Sequence, residues 1–372
     1  MSAHAKNHEI AARLAAAAKA LDAAEADALL VTPGRDLYYL SGYDAVALER
    51  LTCLVVSRDH DPVIVVPELE VPAAKASPLG ALGVEVRSWQ ETDNPHRVVA
   101  KAIPKAHKVT VDSHMWAAHV FALQETLPLA RFRVDRVVAG LRARKSPHEI
   151  QALRDAGAAI DRVHAKVAAL LRPGVTERAV AAKIADYIIA EGHATVDFVI
   201  VASGPNGASA HHEVSDRVLA LGDPVVVDIG GTMPSGYCSD CTRTYTIGTP
   251  PDEFLTAYAA LRSAQAAAVR HAAVGVTAES VDATARSILT DAGLGPAFVH
   301  RTGHGIGLDT HEEPYIISGN THVLEHGNAF SIEPGFYLPG KFGARIEDIV
   351  VVTDTETIRC NNESHDLVIA GV

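Results

Sequence analysis

The sequence is sparing with the residues that cross-link or anchor a chain. It has only four cysteines, Cys53, Cys238, Cys241 and Cys360, in 372 residues. Four are too few for a disulfide framework in a chain of this length, and they point to a reducing, cytoplasmic setting. No run of about 18 apolar residues occurs, so no membrane-spanning helix is expected. The Ala-rich start, with its scattered charges, reads as an amphipathic helix and not as a signal peptide. Positive charge is also short: 33 Lys and Arg against 45 Asp and Glu give a net charge of −12. A surface of that sign repels phosphate backbones and anionic lipid, which argues against nucleic-acid and membrane partners.

What remains is the balance of an ordinary globular protein, 48% hydrophobic and 21% charged, with length enough for two domains. In residues 1–140, apolar runs at 28–32, 51–57, 63–67 and 109–112 alternate with helical stretches, the pattern of an α/β layer domain. Three helix-start signals then coincide. Ser146 can be an N-cap, Pro147 takes the first helical position, and Glu149 completes a capping box. A second domain is therefore expected over residues 141–372.

That second stretch repeats itself faintly. Gly174-Val175-Thr176 and Gly275-Val276-Thr277 each open a predicted helix and lie 101 residues apart. After the first helix comes a short apolar run ending in Asp228-Ile229-Gly230, and after the second one ending in Glu333-Pro334-Gly335. Asp240 follows Asp228 by 12 residues and Glu347 follows Glu333 by 14, with Arg243 and Arg345 nearby. Each spacing suits a hairpin with one acid per strand, so two half-domains related by a pseudo-two-fold could turn four carboxylates toward one point.

Four converging carboxylates cannot all stay ionised without a counter-charge. Two divalent cations supply it, and such a pair can bridge a water, lower its pKa and polarise a carbonyl. Oxygen donors with one imidazole suit manganese, cobalt or zinc. The imidazole candidate is His304, in Gly303-His304-Gly305-Ile306-Gly307, where flanking glycines let backbone approach a ligand closely. The same glycines lack the Lys-Ser/Thr of a phosphate loop. Cys238-x-x-Cys241 has no second pair to complete a zinc site and reads as packing. His164, His193 and His300 read as structural or exposed.

These five motifs together resemble those of the pita-bread metallopeptidases, which include methionine aminopeptidases, aminopeptidase P and prolidases. The resemblance covers roughly residues 140–372. It implies a creatinase-like α/β N-terminal domain followed by an α+β pita-bread domain with a curved, mostly antiparallel sheet. It implies two divalent metal ions per subunit, manganese foremost, with cobalt or zinc as alternatives. Asp228 would bind one metal, His304 and Glu333 the other, and Asp240 and Glu347 both. Glu333 would shuttle the proton from the bridging water, which attacks as a metal-bridging hydroxide. His211, five residues after Asn206, and His311, seven after His304, resemble family histidines that bind substrate and stabilise the oxyanion. Arg345 resembles an arginine that grips the substrate carboxylate. Ser209-Ala210 departs from the Leu-Pro or similar pair that precedes His211 in many relatives, which bears on the pocket but on no metal ligand.

The N-terminal stretch and compact length favour a prolidase, cutting the Xaa-Pro bond of dipeptides and working as a homodimer. Alternatives are aminopeptidase P-type release of the first residue from Xaa-Pro-Yaa peptides, another small C–N hydrolase on the same metals, or a binding module of the same fold that has lost catalysis. A module of that kind is expected to lose ligands, and none of the five is missing.

Overall fold

The computed structural model describes residues 3–371. Contacts divide the chain into two compact units, Met1–Arg142 and Ala143–Val372. The first two residues of the expected N-terminal helix lie outside the described residues; the helix itself runs Ala3–Ala23. It buries Ile10, Leu14, Ala17 and Leu21, a three-to-four-residue spacing that puts all four on one face.

The first unit is built on a six-stranded mixed sheet in the order β4-β3-β2-β1-β5-β6. Its strands are β1 (Ala28–Val31), β2 (Cys53–Ser57), β3 (Val63–Pro67), β4 (Glu85–Trp89), β5 (Lys108–Val111) and β6 (Arg131–Val134). Three of the four inner strands, β1, β2 and β3, are buried along their whole length, and β5 is buried beyond Lys108. That is why they read as unbroken apolar runs and not as alternating ones. The outer strands β4 and β6 are mostly exposed or half-buried.

In the second unit, the helix Pro147–Val167 starts as the sequence predicts, with both capping-box bonds present around Ser146 and Glu149. Strands β7 (Thr195–Ser203), β8 (Pro224–Thr232), β9 (Cys238–Ile247) and β17 (Val368–Ala370) form a sheet in the order β17-β9-β8-β7. A five-stranded sheet follows the order β11-β10-β12-β15-β16. Its members are β10 (Gly303–Gly305), β11 (Glu312–Ile316), β12 (Ala329–Ile332), β15 (Asp348–Val352) and β16 (Thr357–Arg359). A hairpin of β13 (Gly335–Leu338) and β14 (Phe342–Arg345) stands apart from it. Of these pairings only β17 on β9 is parallel. The helices Pro147–Val167 and Glu177–Ala190 contribute side chains to one apolar cluster with the first sheet. The helices Asp252–His271 and Ala278–Asp291 do the same for the second.

The internal repeat is visible in backbone hydrogen bonds. Gly174 N–H donates to Leu219 O and Leu219 N–H to Val175 O, at 3.0 and 2.8 Å. Gly275 and Leu324 make the matching pair with Val276, at 2.9 and 2.8 Å. Gly174 and Gly275 hold nearly equal positive φ, 89° and 90°, a conformation costly for any residue with a Cβ. Both helices that follow are thus entered through the same turn. Among the described residues, no helix is long and apolar enough to cross a membrane.

Candidate metal centre

The first pair of acids sits as the hairpin reading expects. Asp228 on β8 faces Thr242 on β9, and Gly230 faces Asp240. Asp240 and Thr242 are two residues apart, so both side chains project from the face that carries Asp228. The second pair is arranged differently. β12 and β15 pair antiparallel up to Ile332 and Asp348, and Glu333 and Glu347 follow where that pairing ends and the β13–β14 hairpin begins. The acids occupy a junction between two strand pairs, not the strands themselves. The two halves are joined there: Glu347 N–H donates to Thr242 O at 3.1 Å, and the Thr242 hydroxyl donates to Glu347 Oε2 at 2.8 Å.

His304, on β10, completes the cluster. Its Nε2 is 3.2 Å from Glu333 Oε1 and 3.6 Å from Asp240 Oδ2. Donor atoms of Asp240, His304 and Glu347 all lie within 4.8 Å of one another, a spacing that one metal ion could span. The other ring nitrogen, Nδ1, is 3.0 Å from Gly305 O. A proton on Nδ1 donated to that carbonyl leaves the Nε2 lone pair facing the carboxylates, the tautomer a metal ligand needs. Burial, then His311, hold His304 down at about 3, so the ring is neutral. Ser331 orients Glu333, accepting from His304 N–H and donating to Glu333 Oε1, both at 3.0 Å.

The electrostatics are those of a site built for cations. Burial first, and then neighbouring carboxylates, raise Asp240 and Glu347 well above the usual acid range. Burial pushes Glu333 up to about 7 against the pull of Arg345. Two buried acid oxygens, Asp228 Oδ1 and Glu347 Oε1, have no hydrogen-bond partner among the described residues. An unsatisfied buried acceptor costs about 1–3 kcal/mol, more when charged. Coordination removes that cost, so the donor set fits divalent cations.

Arg345 does not stand free to grip a ligand. It is buried, with Nη2 2.5 Å from Asp228 Oδ2. Its Nε donates to Thr242 Oγ1, and Nη1 donates to Tyr337 OH and to Ala210 O. These contacts make it a counter-charge within the acid cluster. Arg243, the matching arginine of the first half, turns the other way and pairs with buried Asp348 at 2.8 Å.

His211 and His311 both line the cleft, with Asp228, Asp240, Glu333, Glu347 and His304. The cleft measures about 810 Å³, within the range of small-ligand sites. The His311 ring lies 4.0 Å from that of His304, centroid to centroid, and its pKa is lowered by burial and then Arg301. The next residue, Glu312, forms a buried 2.7 Å ion pair with Lys145.

The sequence reading passed over Thr242, Tyr337 and Arg301. Thr242 could have been found, because it is two residues beyond Asp240 on the same strand face. Tyr337 and Arg301 carry no such signal. Arg301 lines the cleft, packs 4.5 Å from the Tyr315 ring, and pairs with no carboxylate among the described residues. His300 lines the cleft and reaches Tyr337 OH at 2.9 Å, whereas His164 and His193 are buried among structural partners. Both cysteines of the Cys-x-x-Cys are buried with raised pKa, as packing residues are.

Known protein families match both units of the chain. Residues 151–354 match metallopeptidase family M24, and residues 13–144 match the creatinase/prolidase N-terminal domain. The chain is 51% identical to a probable dipeptidase PepE of Mycobacterium tuberculosis, over 97% of each chain. It is 40% identical to a Xaa-Pro dipeptidase of Lactobacillus helveticus, over 85% of this chain and 87% of that one. The crystal structure of dipeptidase PepE from Mycobacterium ulcerans superposes with a TM-score of 0.95 at 52% identity, covering 98% of this chain and 99% of the other. The chain belongs to metallopeptidase family M24, with a creatinase/prolidase N-terminal domain ahead of its pita-bread catalytic unit.

Proposed function

We propose that this protein hydrolyses the Xaa-Pro bond of dipeptides, using two divalent cations held by Asp228, Asp240, His304, Glu333 and Glu347. The observation that carries the reading is the meeting of these five groups in one cleft, with two buried acid oxygens left without partners. Asp228 would hold one ion, His304 and Glu333 the other, and Asp240 and Glu347 both. Oxygen donors with a single imidazole suit manganese, cobalt or zinc, and the family resemblance puts manganese first. When bound, such a pair lowers the pKa of water and polarises the scissile carbonyl.

The protein's own groups do the rest. Glu333, within the acid cluster that faces the cleft, is suited to accept a proton from the attacking water and return it to the leaving nitrogen. That return matters at proline, whose imide nitrogen has no hydrogen of its own in the peptide. His211 and His311 line the cleft as donors for the substrate carbonyl and for the charge that develops on it. Both Arg301 and Arg345 line the cleft; Arg301, which pairs with no carboxylate among the described residues, is the better suited to receive the carboxylate of a dipeptide, since Arg345 is engaged by Asp228. The expected homodimer belongs to the same reading; it is supported by family resemblance, and sedimentation velocity reads it directly.

A second reading, a dipeptidase without proline preference, is favoured by the mycobacterial relatives, which are known as dipeptidase PepE, a name that mentions no proline. A panel of Ala-Pro, Ala-Ala, Ala-Pro-Ala and an N-acetyl amino acid, run with each metal returned to chelator-treated protein, separates these. Fast turnover of Ala-Pro alone is expected. Equal turnover of Ala-Ala removes the proline specificity, and turnover restricted to the tripeptide moves the protein to the aminopeptidase P type.

A further inference from the structure

His211 stands in a weakly structured place. Residues 204–223, between β7 and β8, hold one short turn of 3-10 helix and otherwise no regular element. His211 itself is exposed and makes no hydrogen bond among the described residues. A side chain that must meet a reacting carbonyl needs its backbone fixed to a fraction of an ångström. Nothing in the local secondary structure supplies that.

Much of the fixing comes from one carboxylate. Glu177, the first residue of the helix Glu177–Ala190, is fully buried. Its Oε1 accepts from Ser203 N–H at 2.8 Å, the Ser203 hydroxyl at 2.7 Å and Asn206 Nδ2 at 3.0 Å. Its Oε2 accepts from the Ser215 hydroxyl at 2.6 Å and Ser215 N–H at 3.2 Å, and lies 2.9 Å from His212 Nε2. Burial works against ionisation here. The bonds from Ser215 and Ser203 overcome it and hold the carboxyl down at about 2, so the acceptor stays fully charged.

The residues on each side of His211 are therefore both tied down. His212 is held by Glu177, and the carbonyl of Ala210 accepts from Arg345 Nη1 at 3.2 Å. The second half of the unit uses a like device: Asp282 accepts from Thr302 N–H and its hydroxyl, two residues before His304. A buried helix carboxylate bonding both backbone and hydroxyl of a Ser or Thr thus anchors each histidine-bearing segment.

We propose that Glu177 is a positioning residue for the reaction, one that touches no substrate and acts by holding the 203–215 segment so that His211 faces the cleft. The inference rests on the proposed role of His211. The test is a double-mutant cycle of Glu177→Gln with His211→Ala, read as kcat and KM on Ala-Pro, with bound metal counted by mass spectrometry and amide exchange followed over 204–215. Glu177→Gln nearly preserves shape but turns two acceptors into one acceptor and one donor. It is expected to lower kcat about ten- to a hundred-fold, the scale of a displaced catalytic group, with metal content unchanged and exchange over 204–215 at least about tenfold faster. In the His211→Ala background it should change kcat by less than about twofold, because residues acting as a unit are not additive.

A slowdown that multiplies in full with His211→Ala, or a wild-type kcat in Glu177→Gln, overturns the inference. So does an unchanged exchange rate over 204–215. If Glu177→Gln fails to fold, Ser215→Ala, which removes a single donor, must show the same pattern at smaller amplitude. If the wild-type protein turns over nothing in the panel, the proposed function is lost, and the exchange measurement alone decides whether Glu177 holds the segment.

Discussion

Replacing Glu333 by Gln should stabilise the metal-free protein at alkaline pH while crippling the metal-loaded one. In the metal-free fold Glu333 titrates near 7, raised from 4.5 first by burial and also by Asp228. The folded state keeps this proton over a range where the unfolded chain has lost it. Folding thus takes up a proton between those two values, and this group's contribution to stability falls as pH rises through them. A shift of this size is worth roughly 3 kcal/mol in full, at about 1.4 kcal/mol per pKa unit, most of it appearing between pH 5 and pH 8. Gln cannot ionise, so it removes the penalty. The buried neutral rings of His164 and His300 pull stability the other way over part of this range, but they are common to both proteins and cancel in the difference; Asp240 and Glu347, raised in part by the Glu333 charge, ionise more easily beside a neutral Gln, which adds to the variant's advantage at high pH. The assay is urea unfolding of chelator-treated wild-type and Glu333→Gln proteins at pH 5 and pH 8, followed by far-ultraviolet circular dichroism. The variant's advantage should grow by roughly 2–3 kcal/mol across that interval. With manganese at a thousand times Kd the order should reverse, since the wild type gains about 4.1 kcal/mol and the variant lacks a ligand. Parallel pH dependences for the two metal-free proteins would refute the reasoning, because Glu333 would then be ionising as it does in water.

Three further outcomes follow from the contacts described. His311→Ala should lower kcat by about two to three powers of ten, the scale of a lost oxyanion donor, with bound metal unchanged; an undiminished kcat removes His311 from the chemistry. Arg301→Met should raise KM for Ala-Pro by about ten- to a hundred-fold, the loss of a charge-assisted bond, and leave KM for the C-terminal amide of the same dipeptide alone; an equal rise for both substrates excludes a carboxylate contact. Lys145→Met should cost about 3–5 kcal/mol by stripping Glu312 of its buried cation, a fall in Tm on the order of 10 °C for a unit of this size, read by calorimetry against Lys145→Arg.

The hairpin that carries the first pair of acids was legible in their spacing, since Asp228 and Asp240 lie on paired neighbouring strands; the second was not, because Glu333 and Glu347 sit where one strand pair gives way to another. The helix at Pro147 was legible because its cap, first-turn proline and acid act within four residues. β4 and β6 were missed. Their sequences, Glu-Val-Arg-Ser-Trp and Arg-Phe-Arg-Val, carry charge and are largely solvent-facing. An edge strand is defined by the neighbour it pairs with, and that lies elsewhere in the chain. The ion pair and hydrogen bonds of Arg345 were not legible for a related reason. Its partners Asp228, Thr242 and Ala210 stand more than 100 residues away, and spacing alone cannot say which of several anions a buried guanidinium will meet.

The scarce residues also divide between the units in a useful way. Both tryptophans, Trp89 and Trp116, belong to the first unit. Three of the four free thiols, Cys238, Cys241 and Cys360, belong to the second, all buried with raised pKa. A thiol so enclosed is inert to a bulky disulfide reagent until its surroundings open. Indole emission therefore follows the opening of one unit, and the labelling rate of those sulfurs chiefly that of the other, so a single unmodified sample can report the two melting events on separate channels.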